Sequence, residues 1–307
     1  MCRAFVMLMI LCGLTGCAES RQTQERRRDE IVICGHLIHT GAPVVLWFDD
    51  KGYDAYRAEN RFNTKQPKTT KRYGQRPTQP QDVMALSKVV DQFVIHYDAA
   101  GTSRQCFKVL HDIRGLSVHF MLDVDGTIYQ TLDLKERAWH ATIANDRSIG
   151  IEIANIGAQR YGGPPLLKSW YRRDVDGRTV MTLPGWMKQS GVRTPGFVAR
   201  PIRNEPVTGI IQGAKLIQYD LTEQQYDSLI KLTAALCRQF PLIKCDYPRD
   251  ARRSLVRGKL DEKVFNRYQG ILGHYHVQKN KIDPGPAFQW DRLISGARNR
   301  MRKVAIR

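Results

Sequence analysis

Three blocks of the sequence hold side chains that can bind a metal ion or transfer a proton. The first block is an apolar, β-branched run, 93–95, that ends in a histidine. The side chains are His96 in the first block, His119, His140, Asn145 and Glu152 in the second, and His274, His276, Lys281 and Asp283 in the third. Imidazole and carboxylate groups serve both as metal ligands and as acid–base catalysts. The chemistry of the chain is therefore expected in these blocks.

Strand and helix patterns alternate around the blocks. Apolar runs predict strands at 93–96 and 149–154, and a hairpin over 118–132 with a two-residue Asp125-Gly126 turn. Ser103 is the predicted N-cap of a helix that ends at Gly115. Thr222 and Gln225 predict a capping box for a helix from 223 to about 238, whose apolar face indicates core packing. This alternation predicts an α/β fold, a single domain around one mixed sheet.

The rest of the chain divides by composition. We expect a leader at 1–16, a polar tether at 17–30, and an N-terminal arm with a basic loop at 31–89. Within that arm, 31–60 are short strands or a wrapping segment, and 61–82 are a surface loop or linker. The main domain spans 90–293, with a surface insertion at about 157–215, and a basic helix or tail follows at 294–307.

The charge of the chain limits its partners. The 307 residues contain 48 Lys and Arg against 30 Asp and Glu, a formal charge of +18, and 42% are hydrophobic. This apolar content excludes a wholly disordered chain, and no internal repeat indicates a solenoid. No apolar run of 18 or more residues follows the N-terminus, which excludes a multi-pass membrane fold. The basic excess favours nucleic acid, anionic lipid or an acidic cell-wall polymer.

The N-terminus favours the last two partners. Arg3 precedes an apolar run that ends at Cys12, which is the layout of a secretory signal. The segment Leu14-Thr15-Gly16-Cys17 resembles a bacterial lipobox, which implies acylation of Cys17; the alternative is an ordinary signal peptide with a chance cysteine. Ala18 in place of Asp implies the outer membrane, facing the periplasm. Export leaves a role in nucleic-acid binding disfavoured.

Export also permits disulfide bonds. Four cysteines remain beyond Cys17, namely Cys34, Cys106, Cys237 and Cys245. We favour a Cys237–Cys245 pair, because the two residues flank a short loop after a helix, and the alternative is four buried free thiols.

Together the three blocks resemble the zinc-dependent N-acetylmuramoyl-L-alanine amidases, a family that includes phage amidases and peptidoglycan recognition proteins. The resemblance covers about 90–156 and 216–293. It implies a central mixed β-sheet flanked by helices, with one zinc ion in a surface groove. Carried over by motif, the zinc ligands are His96, His274 and Asp283, which leave a fourth position open for water. His276 competes with His274 if both lie on one strand.

The resemblance also implies the remaining roles. Glu152 matches the catalytic acid, and Lys281 matches the cation that stabilises the oxyanion. His119, His140 and Asn145 are predicted to contact substrate; for His119 and His140 the alternative is a core or outer-shell position. The predicted activity is hydrolysis of the amide between the lactyl group of N-acetylmuramic acid and L-alanine, in peptidoglycan or muropeptides, by a monomer that serves cell-wall degradation or recycling. The rival is a non-catalytic peptidoglycan-binding lipoprotein on the same fold.

Overall fold

The computed structural model describes residues 26–57, 73–163 and 165–305. The leader and Cys17 lie outside these ranges. The strands are β1 Glu30–Ile33, β2 His36–His39, β3 Val44–Leu46, β4 Tyr73–Gln75, β5 Gln92–Tyr97, β6 Phe120–Leu122, β7 Ile128–Gln130, β8 Glu136–Ala138, β9 Ser148–Ile153, β10 Gln159–Arg160, β11 Tyr171–Arg173, β12 Thr179–Met181, β13 Val207–Ile211, β14 Ala214–Gln218 and β15 Gly270–Gly273. The helices are α1 Val83–Ser87, α2 Ser103–Phe107, α3 Leu166–Trp170, α4 Glu223–Gln239, α5 Glu262–Arg267, α6 His274–Val277 and α7 Trp290–Ala305.

A mixed sheet of six strands forms the centre of the molecule, in the order β15-β5-β9-β6-β7-β3. The first four strands are parallel, β7 is antiparallel to β6, and β3 is parallel to β7. β5 and β9 are buried along almost their whole length, as expected for strands covered on both faces. Helices α4 and α7 share one core cluster with Phe93 and Ile95, whereas α2 packs in another with Met121. The predicted α/β fold, with a central mixed sheet flanked by helices, is confirmed.

Local signals placed the elements to within a few residues. Thr102, rather than Ser103, caps α2, because its hydroxyl accepts the Gln105 N–H. The helix continues after Phe107 as a π-helical turn, Lys108–Ile113. The hairpin loop has three residues rather than two, since Asp123 pairs with Thr127 and Gly126 takes a φ of 85°. A three-residue loop needs one left-handed residue, which Gly126 supplies without strain. The capping box of α4 is present as predicted.

The N-terminal segment, expected to be short strands or a wrapping segment, forms short strands that pack into the domain core. β3 extends the central sheet at its β7 edge, and Ile31 and Ile33 of β1 are fully buried in the main cluster. The surface loop was predicted at 61–82, and the structure describes its last part, from residue 73. This part also packs into the domain. β4 pairs with β8, and Arg76, which follows it, is fully buried. Burial of β3 and β1 completes an apolar face that the sheet would otherwise leave exposed.

Two further segments outside the three blocks are structured. The predicted insertion at 157–215 forms a small sheet, β10-β14-β13, and a β11–β12 hairpin. The predicted boundary at 293/294 falls inside α7, where Ile294 and Ala297 are buried. All four described cysteines are free thiols, so the favoured Cys237–Cys245 disulfide is not formed; Cys106 and Cys237 are buried, whereas Cys34 and Cys245 are partly exposed. In 26–57, 73–163 and 165–305, no helix has an apolar stretch long enough to cross a bilayer.

Candidate metal centre and active site

The candidate site lies at the carboxyl ends of three adjacent parallel strands of the central sheet, β15, β5 and β9. His96 lies near the carboxyl end of β5, and Glu152 of β9 is its in-register neighbour. In-register neighbours point to the same face of a sheet, so these two side chains lie side by side. β15 ends at Gly273 opposite Ile95, which places His274 beside His96. This edge of parallel strands is where α/β folds commonly place their ligand sites.

The side chains of His96, His274 and Asp283 converge on one point. The His96 Nδ1 atom lies 2.9 Å from His274 Nδ1 and 2.9 Å from Asp283 Oδ2, and the last two atoms are 3.0 Å apart. All three residues are buried. Ligand atoms on a tetrahedral zinc ion are about 3.4 Å apart, given bond lengths of about 2.0–2.1 Å. The predicted ligand set therefore has nearly the spacing that one zinc ion requires, and among the described residues it is one of two groups that could hold a metal.

His276 is excluded from this set by a change of secondary structure. The chain passes from β15 into the one-turn helix α6 at His274, so His274 and His276 do not share a side, as they would on a strand. The His276 Nδ1 atom accepts the Gly273 N–H, and its Nε2 lies 2.7 Å from the Val256 carbonyl. Burial lowers the pKa of His276 to about 3, so this histidine is neutral and structural.

Outer partners orient the two histidines. Gln278 Oε1 lies 2.6 Å from His274 Nε2 and can only accept, so this nitrogen carries the proton. His96 Nε2 lies 3.0 Å from His140 Nδ1, and His140 Nε2 lies 3.1 Å from Ser148 Oγ. When each Nε2–H donates outward along these contacts, both Nδ1 atoms direct lone pairs at Asp283. Such acceptors typically fix the tautomer of metal-binding histidines.

The backbone leaves room for the His140 ring. A side-chain carbon on Gly150 would lie only 2.5 Å from His140 Nδ1, so a larger residue at this strand position would displace the imidazole. Burial, together with the neighbouring His96, holds the pKa of His140 well below its usual value. His140 is therefore a neutral link between β9 and His96, which is the outer-shell alternative considered from the sequence.

The electrostatics of the cluster fit a cation. Burial lowers the pKa of His96 to about 4, and the neighbouring His274 acts in the same direction. Burial alone would raise the pKa of the Asp283 carboxyl, but His274 and His96 outweigh it and the pKa lies well below its ordinary value. Two imidazole lone pairs and a carboxylate would then meet about 3 Å apart, an arrangement that a positive ion at their centre stabilises.

Glu152 lies beside this cluster, and its carboxyl group has an oxygen that no other group of the described structure uses. Its Oε2 atom is buried and has no hydrogen-bond partner in the described structure. Burial and the nearby Asp283 raise the pKa of Glu152 well above its usual value, whereas the charge of Lys281 opposes the rise. A carboxyl group with a buried, unpaired oxygen and a raised pKa is the kind of group that acts as a catalytic acid or base. The structure thus places both predicted catalytic residues at the cluster.

His119 and Asn145 are held by internal hydrogen bonds, and their contact with substrate stays a prediction. His119 is fully buried, with Nδ1 accepting the Gly150 N–H and Nε2 3.0 Å from the Glu136 carbonyl. Asn145 is also buried, and its Oδ1 accepts the N–H groups of His140 and Ala141. Both side chains stabilise the chain around His140 and use their polar atoms internally.

Sequence reasoning missed Arg76, Ser148 and Gln278. Arg76 donates to the carbonyls of Asp146, Leu134 and Ser148 at 3.0–3.2 Å, and so joins the segments on either side of β8 and the start of β9. It lies in a segment rich in Lys, Arg and Pro, which has no apolar pattern to indicate burial. Gln278 follows His274 by four residues, a spacing that becomes informative only once α6 is known to be helical.

The chain matches a known protein family. The family model for N-acetylmuramoyl-L-alanine amidase matches residues 86–286, well over half of the chain. No curated protein matches the chain.

The chain is also similar to several solved structures at low sequence identity. A selenomethionine derivative of AmpD is 18% identical, covers 79% of this chain and 97% of its own, and has a TM-score of 0.35. AmiD from E. coli, in complex with the substrate anhydro-N-acetylmuramic acid-L-Ala-D-gamma-Glu-L-Lys, is 19% identical, with 67% and 57% covered and a TM-score of 0.39. The Ph2119 endolysin of a Thermus scotoductus bacteriophage is 12% identical, with 83% and 98% covered and a TM-score of 0.37.

The family match confirms the resemblance drawn from the three blocks: the chain belongs to the N-acetylmuramoyl-L-alanine amidase family, enzymes that hydrolyse an amide bond of peptidoglycan.

Proposed function

We propose that this amidase depends on one zinc ion, held by His96, His274 and Asp283. Its reaction would be cleavage between the lactyl group of N-acetylmuramic acid and L-alanine, in peptidoglycan or its muropeptide fragments. The observation that supports this proposal is that the Nδ1 atoms of His96 and His274 and the Oδ2 atom of Asp283 lie within 3.0 Å of one another. Three protein ligands leave a fourth position for water or substrate, as in catalytic zinc sites.

The bound ion would supply a Lewis acid and a water of lowered pKa. Around it, the protein supplies the proton transfers. Glu152 would take a proton from the attacking water at its unpaired Oε2 and return it to the leaving amine. Burial raises the pKa of this carboxyl well above its ordinary value, which favours its keeping the transferred proton until the amine leaves. The Lys281 ammonium would stabilise the negative oxygen that develops on the carbonyl group.

We also propose the setting in which this reaction occurs. Acyl chains on Cys17 would anchor the protein, as a monomer, to the outer membrane with its domain in the periplasm, for cell-wall degradation or recycling. The net charge of +18 supports retention near anionic lipid or cell wall. Cys17→Ser should move the protein from the membrane fraction to the soluble fraction. Retention of that variant in the membrane would contradict the lipid anchor.

Mass spectrometry of the products from defined muropeptides, with metal analysis of the same sample, tests the reaction. We expect release of a peptide with a free L-alanine amine, one zinc per chain, and loss of activity after chelation. Glu152→Gln should remove most activity while retaining zinc, whereas the exposed Lys263→Gln should be silent. Activity that survives both chelation and Glu152→Gln would refute the mechanism, and binding without cleavage by the unaltered protein would favour the non-catalytic rival.

A further inference from the structure

A groove of about 670 Å³ lies on the outer side of α2, apart from the metal cluster. Three separate segments form it. Tyr53 and Arg57 come from the N-terminal segment, Arg104 and Lys108 from α2 and the turn after it, and Trp186 and Lys188 from the 157–215 insertion. Two of these segments lie outside the blocks that carry the family resemblance. The groove is therefore built by parts of this chain to which the cluster gives no role.

The groove is cationic. Arg57 pairs with Asp112, with Nη2 3.1 Å from a carboxylate oxygen, and Arg104 donates to Gln189 at 2.8 Å. Lys108 and Lys188 are exposed and have no acidic partner within 26–57, 73–163 and 165–305. The unpaired ammonium groups leave a net positive potential in a concave surface, which attracts ligands with carboxylate groups.

Aromatic rings line the same groove. Trp186 is 62% exposed, which is unusual for so large an apolar side chain. Its indole is held by an edge-to-face contact with Trp170, with 6.4 Å between ring centroids. Among the other lining residues, Tyr53 stacks on Phe107 at 5.2 Å between ring centroids, and the Arg57 guanidinium lies over the Phe107 ring. Rigid aromatic faces beside charged groups are typical of ligand-binding surfaces.

The groove is connected to the metal cluster through one short loop. Trp170 packs directly against Gly101, and Gly101 donates to Asp98, two residues after His96. Arg104 follows His96 by eight residues, so their Cα atoms are at most about 28 Å apart. Arg104 and Lys108 face outward, whereas Cys106 of the same helix is buried in the core. A ligand that occupies both places must therefore extend past the edge of α2.

We propose that this groove binds the peptidoglycan strand beyond the unit being cleaved. The stem-peptide carboxylates would pair with Lys108 and Lys188, and a sugar ring would lie on the exposed face of Trp186. A polymer meets both requirements at once, since it carries carboxylates and sugar rings at intervals along an extended chain. The inference rests on the proposed function, because it assumes that peptidoglycan is the substrate. It assigns polymer recognition to the insertion and the N-terminal segment.

The test compares an insoluble and a soluble substrate with the full-length protein. Trp186→Ala and Lys188→Glu are assayed on isolated sacculi and on a single muropeptide, and sacculus binding is measured by co-sedimentation. Val175→Ala and Lys263→Glu, both at exposed positions outside the groove, are the matched controls. We expect each groove variant to bind sacculi roughly tenfold more weakly and to raise KM on sacculi by a similar factor. Its kcat and KM on the muropeptide should stay at the level of the controls.

The outcomes separate this inference from the proposed function. Equal sacculus binding by groove and control variants would overturn the groove assignment, and so would equal losses on both substrates. Binding to vesicles of anionic lipid is also measured. If the groove variants lose vesicle binding but bind sacculi as before, the groove is a membrane site and the proposal is refuted. If the unaltered protein cleaves neither substrate, the proposed reaction fails, whereas the co-sedimentation result still decides whether the groove binds the polymer.

Discussion

Replacement of His140 tests whether the hydrogen-bond chain behind the metal cluster prepares His96 as a ligand. His140→Ala removes the acceptor that lies 3.0 Å from His96 Nε2. A buried Nε2–H without an acceptor is unfavourable, so the proton would shift to Nδ1, the atom that faces His274 and Asp283. A protonated Nδ1 cannot donate a lone pair to zinc. The substitution should therefore weaken metal binding without touching a ligand.

The magnitude follows from the position of His140 one shell outside the site. Loss of an outer-shell partner typically lowers metal affinity by about 10–100-fold, which corresponds to about 1.4–2.7 kcal/mol. Ser148→Ala should have a smaller effect, because it removes only the acceptor of His140 Nε2 at 3.1 Å and leaves the ring in place. Gln278→Ala should weaken binding through His274 instead, since it removes the contact of 2.6 Å.

Competition with a chromophoric zinc chelator at neutral pH measures these affinities directly. The exposed His36→Ala is the matched control, because it removes an imidazole from β2 rather than from the site. Far-ultraviolet circular dichroism confirms that each variant is folded. A folded His140→Ala protein that binds zinc as tightly as the His36→Ala control would refute the role of this hydrogen bond.

Three further predictions concern stability and catalysis. Arg76→Ala should lower the free energy of unfolding by roughly 3–5 kcal/mol, because it leaves buried carbonyls without a donor. Urea unfolding measures this loss, and a stability equal to that of the exposed Arg172→Ala variant would contradict it. Burial raises the pKa of Asp123 to about 7 from an ordinary 3.8, so the folded protein holds this proton longer than the unfolded chain, and stability should fall as pH rises from about 4 to about 7. In Asp123→Asn the fall in stability over this pH range should be smaller by up to about 4 kcal/mol. If the unaltered protein and the variant show the same dependence of unfolding free energy on pH, Asp123 is not the group responsible. Lys281→Gln should lower kcat by about 10²–10³ with little change in KM, and an unchanged kcat would remove Lys281 from the mechanism.

The elements that carry the site could be predicted because their signals are local. The apolar run before His96 specifies β5, and the Thr222–Gln225 capping box specifies the start of α4. The two errors in the predicted elements, at the start of α2 and in the hairpin loop, also concern neighbouring residues only. Thr102 and Ser103 are both good caps, and only the backbone geometry decides between them. The Asp125-Gly126 pair fits a two-residue or a three-residue hairpin loop, since Gly126 is left-handed in both.

The roles of individual polar residues were harder to predict. His119, His140 and Asn145 are close in sequence to the catalytic block, yet all three use their polar atoms inside the protein. Sequence patterns report residue types and periodicity, whereas a hydrogen-bond partner depends on which segments pack together. The contact of His96 with Asp283, for example, joins residues 187 positions apart.

By itself, the sequence determined the family, the α/β class and the chemistry of the ligands, because these depend on residue types and their order along the chain. The motif favoured His274 over His276, but only the tertiary structure shows that the two side chains point to different sides, since the strand becomes a helix at His274. Only packing placed Arg76 in the core and brought α2, the N-terminal segment and the insertion around one groove. These arrangements arise from burial of distant segments against one sheet, which no local pattern encodes.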